Sequence, residues 1–170
     1  MSINILKGVV ILTVTSNIKW KSLLINIAIP VTVGIISSLI TGGGFDTYSQ
    51  IVQPPLSPPP IVFPIVWSLL YILMGISSYL IVQQTDEIKS NRSLIVYALQ
   101  LVINFFWPVF FFGFNAYLFA FIWIILLIAA VITMTVLFYR QNRIAAYIQI
   151  PYILWTIFAA YLNLGVFILN

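Results

Sequence analysis

Three short sets of residues carry the chemistry available to this chain. Trp67, Tyr71 and Met74 are spaced i, i+4 and i+7, so on a helix they share one face. Asn104, Trp107 and Phe111 share a face in the same way. So do Trp155, Ala159 and Leu162, with Asn163 at the edge of that face. Aromatic surfaces beside a small alanine suit stacking against a flat apolar molecule, and two asparagines add a few oriented polar anchors. An asparagine in hydrocarbon is costly unless it is paired or faces a cavity. A second reading of the same residues needs no ligand: Trp and Tyr form interfacial belts, and asparagines join helices by hydrogen bonds.

Other chemistries are excluded by what is missing. The chain has no histidine and no cysteine, so it has no Ser-His-Asp triad, no imidazole or thiolate metal ligand and no disulfide. Its three acidic residues, Asp46, Asp86 and Glu87, all fall outside the apolar stretches. General acid–base catalysis and metal-assisted chemistry have no candidate there, and an ion-coupled pump has no relay residue. No cofactor is expected. Tryptophan redox chemistry is the one covalent option left open.

The elements that must position these residues are set by solvent. Of 170 residues, 62% are hydrophobic and 6% charged, against about 25% charged in a soluble domain. That surface needs a lipid bilayer. A helix crosses the hydrocarbon core with about 20 apolar residues, and spans are expected at 22–41, 61–84, 93–112, 116–139 and 144–169. The stretch between Arg92 and Arg140 is uncharged. As one helix it would run roughly 70 Å, so it must reverse, and Gly113-Phe114-Asn115 is the natural turn. The segments are too long and too continuously apolar for barrel strands. The expected fold is an all-α integral membrane protein, a five-helix bundle with a long loop between helices 1 and 2.

Charge gives the orientation. Five spans put all seven basic residues (Lys7, Lys19, Lys21, Lys89, Arg92, Arg140 and Arg143) on one side and none on the other. The positive-inside rule then predicts a cytoplasmic N-terminus, an external C-terminus and an external Asp46. Seven scattered cations are too few for a nucleic-acid footprint. Residues 1–21 are expected to form a cytoplasmic, partly interfacial tail, and residues 22–170 the membrane domain.

The stretch QPPLSPPPIVFPIVW, 53–67, holds six of the nine prolines. Pro58, Pro59 and Pro60 favour an extended approach, and Pro64 falls in the first turn of a helix, where a missing N–H costs nothing. The 42–60 connection thus starts flexibly at TGGGFDTYSQ and ends in a stiff arm. It reads as a lid or, equally, as a spacer. Pro30, Pro108 and Pro151 lie within spans one, three and five and invite kinks.

QPPLSPPPIVFPIVWSLLYILMG (53–75) resembles the signature of the TspO/MBR family of tryptophan-rich sensory proteins. NFFWPVFFFG (104–113) and IPYILWTIFAAYLN (150–163) resemble two further family motifs, in the family's order and spacing. Leu56, Ile61 and Phe105 stand where the family has tryptophans, and Trp123 where many members carry an aspartate. The terminal LGVFILN lacks the tyrosine and basic residue of the family's proposed sterol pattern. The resemblance implies five helices, a homodimer and a porphyrin-like hydrophobic ligand held by Trp67, Tyr71, Asn104, Trp107, Trp155, Ala159, Leu162 and Asn163. Trp67 and Trp155 would flank that ligand beneath the loop. The expected function is a membrane receptor or carrier for porphyrins (tetrapyrroles) or related molecules, acting as a stress sensor. The alternatives are a light-dependent porphyrin-degrading enzyme using Trp67 and Trp155, and a packing subunit with no ligand. Small residues four apart, Gly34 with Ser38 and Ala116 with Ala120, could bring helices or subunits together.

Overall fold

The structure, a computed structural model, describes residues 4–6, 9–11 and 18–170. Most of the expected 1–21 tail, Lys7 included, lies outside the described residues. Strands β1 (Asn4–Leu6) and β2 (Val9–Ile11) pair antiparallel. The α-helices among the described residues are α1 (Trp20–Ile40), α2 (Phe45–Gln50), α3 (Val62–Val82), α4 (Glu87–Pro108), α5 (Tyr117–Tyr139), α6 (Arg143–Ile148) and α7 (Ile150–Leu169). Among the described residues, five spans are long and apolar enough to cross a membrane: α1, α3, α4 with the turn after it, α5, and α6 continued by α7.

Local chemistry sets the ends. The third span starts at Glu87, several residues before the expected 93, because Asp86 caps it and accepts the Lys89 backbone N–H at 3.1 Å. Glu87 in the first turn adds favourable charge at the positive end of the helix dipole. The charged stretch TDEIKSNR is therefore mostly first turns rather than loop. Asn142 caps α6 in the same way, accepting from the Ala145 N–H at 3.1 Å. The fifth span breaks at Gln149, and Pro151 sits in the first turn of α7, where its absent N–H is not needed. After Pro108 the third span loosens into a π turn, Val109–Gly113, and the chain reverses at Asn115, whose φ is +53°. The expected reversal at 113–115 is thus where the helix hydrogen bonding fails.

The 42–60 connection differs from expectation at its start. TGGGFDTYSQ is not a flexible run: a 3-10 turn at Gly42–Gly44 leads into α2. Gly44 enters α2 with φ +69°, a conformation glycine adopts without steric cost.

The spans close into a ring in the order α1, α3, α6/α7, α5, α4 and back to α1. Ile81, Ile124, Leu127, Val131, Met134 and Phe138 are fully buried at its centre. The α1–α3 contact is the closest. A side chain at Gly75 would overlap the Ile27 backbone, and one at Gly34 would overlap the Tyr71 ring. Gly34 is therefore used inside the bundle, and so is Ala120, which is fully buried. Among the residues of α1 only Pro30 and Ser37 are buried, so this span is the least embedded and its apolar outer face meets lipid.

Candidate ligand-binding site

A cavity of about 400 Å³ lies between α1, α3 and α4, beneath the 42–60 connection. Its wall includes Trp67 and Tyr71 from α3, Asn104 and Trp107 from α4, Gly34 from α1 and Tyr48 from α2. Trp67 is central: its ring lies 5.8 Å from Tyr71 and 6.4 Å from Trp107, tilted by 31° and 32°. Its third neighbour is Tyr152 of α7, met edge-on at 6.2 Å. These spacings are those of favourable aromatic pairs.

Polar anchors stand at the inner end. The Tyr71 hydroxyl donates to Asn104 Oδ1 at 2.7 Å, and Asn104 Nδ2 donates to the Tyr152 hydroxyl at 2.9 Å. That hydroxyl donates in turn to Gln100 Oε1 at 2.9 Å. All four side chains are buried, so the chain of bonds links three helices where water cannot substitute. Above it, Trp107 Nε1 donates to Asn163 Oδ1 at 3.1 Å, and Asn163 Nδ2 donates to the Tyr117 carbonyl at 2.9 Å. Both asparagines thus fix aromatic side chains. Pro108 and the π turn disturb the carbonyl ladder at this level, and Ser37 of α1 donates to the Phe105 carbonyl at 2.8 Å.

The connection forms a roof. The Tyr48 hydroxyl donates to the Pro58 carbonyl at 3.0 Å, and Gln53 Nε2 donates to the Tyr48 carbonyl at 3.0 Å. Burial pushes the Tyr48 phenol above its ordinary pKa, with Ser57 opposing, so it remains a neutral donor. Leu56 holds φ +65°, a strained value for a residue with a side chain. Both the Ser57 N–H and its hydroxyl bond the Pro54 carbonyl around that turn.

Four expected ligand contacts, Trp155, Ala159, Leu162 and Asn163, stand outside this wall. Phe63 comes between: it lines the cavity and meets Trp155 edge-on at 6.0 Å. Ala159, Leu162 and Asn163 are buried in the bundle, and Asn163 spends its amide on Trp107 and α5 as above. Trp67, Tyr71, Asn104 and Trp107 are brought together as expected. The sequence reading missed Tyr152, Gly34 and Tyr48. Tyr152 could have been found, since it lies three residues before Trp155 and seven before Ala159 on the same helical face. Tyr48 sits in a stretch without periodicity and gave no signal.

Comparison with known proteins agrees with this architecture. The sequence profile of the TspO/MBR family matches residues 26–169. The chain is 33% identical to the tryptophan-rich protein TspO of Archaeoglobus fulgidus, over 81% of this chain and 90% of that protein. It is 32% identical to the tryptophan-rich protein TspO of Chlorobaculum tepidum, over 72% and 78%. It is 36% identical to the translocator protein of Ovis aries, over 73% and 75%. Five membrane-length helices and a match that runs through all of them carry one conclusion: the chain belongs to the TspO/MBR family.

Proposed function

We propose that this protein is a membrane receptor or carrier for porphyrin-like tetrapyrroles or related flat hydrophobic molecules, with a role in sensing stress. The observation that carries this reading is the Trp67 indole on the wall of a 400 Å³ cavity, among Tyr71, Trp107 and Tyr152. Such a volume is at the lower end of the ~300–1,000 Å³ typical of ligand pockets. A planar π system stacks on Trp67 and Trp107, while the Tyr71–Asn104 pair gives the inner end a polar edge. Trp155 backs that wall through Phe63 and Asn163 through Trp107, while Ala159 and Leu162 are buried on the same helix. The name translocator protein, borne by a relative, is in keeping with a carrier. The seven-to-none split of basic residues supports a cytoplasmic N-terminus and an external roof, and family membership supports a homodimer.

The test is a titration of the reconstituted protein with protoporphyrin IX, read by tryptophan fluorescence in the dark and again under illumination. Saturable quenching at one porphyrin per chain is expected, with the porphyrin absorbance unchanged in light. Absence of saturable quenching would remove the ligand reading. Protein-dependent, light-driven loss of porphyrin absorbance would make the protein an enzyme instead.

A further inference from the structure

The cavity wall is not wholly interior. Pro64, Ser68 and Ile72 of α3 line it at i, i+4 and i+8, and the same stripe is exposed on the outside of the bundle. From α1, Ile35 and Leu39 line it while remaining 55% and 75% exposed. The two stripes border one seam, between the roof-side halves of α1 and α3. Beyond Ile35 and Ile72, further from the roof, the seam is shut: Gly75 admits Ile27 so closely that a side chain there would collide with the Ile27 backbone, and Gly34, at the inner edge of the seam, already makes room for Tyr71. The helices are zipped at one end and parted at the other, and the parted end faces the bilayer.

The roof, by contrast, is fastened down on the α7 side. A Cβ at Gly165 would lie 2.5 Å from Pro54 Cβ, so the arm rests directly on α7. The Tyr161 hydroxyl donates to the Pro55 carbonyl at 2.9 Å. Asn170 Nδ2 donates to the Val52 carbonyl at 3.1 Å, and its Oδ1 accepts the Val52 N–H at 2.9 Å. Lifting the roof would break three hydrogen bonds and uncover Pro54. Passing through the seam breaks none of these.

We propose that the ligand reaches the cavity sideways from the bilayer, through the seam between the roof-side halves of α1 and α3, while the roof stays closed. The nature of the ligand rests on the reading above. The seam itself is open to any apolar molecule dissolved in the membrane, acyl chains included. A hydrophobic molecule already concentrates in the bilayer, so this route spares it a passage through water.

Two probes test the route separately from the ligand. The first is lipid. Wild type and Trp67→Phe are reconstituted in phosphatidylcholine vesicles with ordinary or brominated chains, and the difference between the two proteins isolates Trp67 emission. Bromine should quench that emission at least twofold, and Ser68→Phe, which plugs the seam, should restore at least half of it. Trp67 emission indifferent to bromine would overturn the route, whether or not porphyrin binds. The second probe is stopped-flow binding of protoporphyrin IX. Ser68→Phe should slow association and dissociation together, each about tenfold, and Leu39→Ala, which widens the seam from the other helix, should speed both. The chain contains no cysteine, so Pro55→Cys with Tyr161→Cys, joined by a short bis-maleimide across the gap the Tyr161 side chain now spans, gives a single cross-link that locks the roof. That lock should leave both rates within twofold. A lock that slows association tenfold, with Ser68→Phe and Leu39→Ala having no effect, would show that the roof is the gate.

Discussion

The bond between Tyr71 and Asn104 joins two spans at the inner end of the cavity, and a double-mutant cycle measures what it contributes. Replacing Tyr71 by Phe removes a hydroxyl that donates to Asn104 Oδ1 at 2.7 Å and leaves that oxygen without a donor. Replacing Asn104 by Leu removes two bonds at once, since Asn104 Nδ2 also donates to Tyr152. Hydrogen bonds between membrane helices contribute about 0.6 kcal/mol on average and about 1.7 at most. An orphaned buried group adds a penalty of about 1–3 kcal/mol in aqueous proteins. This pair is short and buried, so its coupling should lie in the upper part of the membrane range, about 1–1.7 kcal/mol. Tyr71→Phe should then cost about 1 kcal/mol and Asn104→Leu about 2–3 kcal/mol. The double variant should cost less than their sum by about the coupling energy. The assay is equilibrium unfolding in mixed detergent micelles titrated with sodium dodecyl sulfate, read by near-UV circular dichroism. Single-variant losses that add within about 0.5 kcal/mol, as they do for independent sites, would refute a functional bond between these residues.

Other expectations are more local. Gly75→Val would drive a side chain into the Ile27 backbone, and overpacking of this kind costs about 1–3 kcal/mol. Gly113→Ala should cost less than about 1 kcal/mol, because a Cβ there would meet only Val109 Cγ1 at 3.9 Å; the micelle titration distinguishes them. For topology, a cysteine at Ser49 should react with a membrane-impermeant maleimide from outside intact cells and one at Asn91 should not; the reverse pattern would invert the orientation. Asn91 is preferred to its neighbour Ser90, which is buried and donates to the Ile81 carbonyl. Light scattering in mild detergents should give twice the 19.2 kDa chain mass, and a monomer in several detergents would count against the homodimer.

The five spans were legible because bilayer thickness imposes a length and apolar composition fills it. The turn at 113–115 was legible for the same reason, since 47 uncharged residues cannot form one crossing. The start of α4 was not, because charge density argued for a loop while the Asp86 cap argued for a helix, and the cap prevailed. The site divided along a similar line. Helical periodicity grouped Trp67 with Tyr71 and Asn104 with Trp107, and the packing brings those four together. Periodicity alone does not say how helices rotate against one another, so it could not tell that Phe63 would fill the space between Trp155 and the cavity. Nor could it choose for Gly34 between helix contact within the bundle and contact between subunits; the residue makes room for Tyr71. The Tyr152–Gln100 bond was beyond reach, since it depends on two spans meeting in one register.

The central claim is that a flat ligand stacks on Trp67 inside this cavity, and the most direct test is the dissociation constant for protoporphyrin IX in three proteins. Base–aromatic stacks contribute about 1–3 kcal/mol in nucleic-acid binders, and a loss of about 1.4 kcal/mol is tenfold in affinity. Trp67→Ala should therefore weaken binding at least about tenfold. Trp123→Phe provides the comparison: the Trp123 indole packs on Phe110 and Phe119 and donates to the Ile103 carbonyl at 2.7 Å, away from the cavity wall. It should leave the constant within about threefold of wild type. Equal losses in the two folded variants, or undiminished binding by Trp67→Ala, would contradict the account.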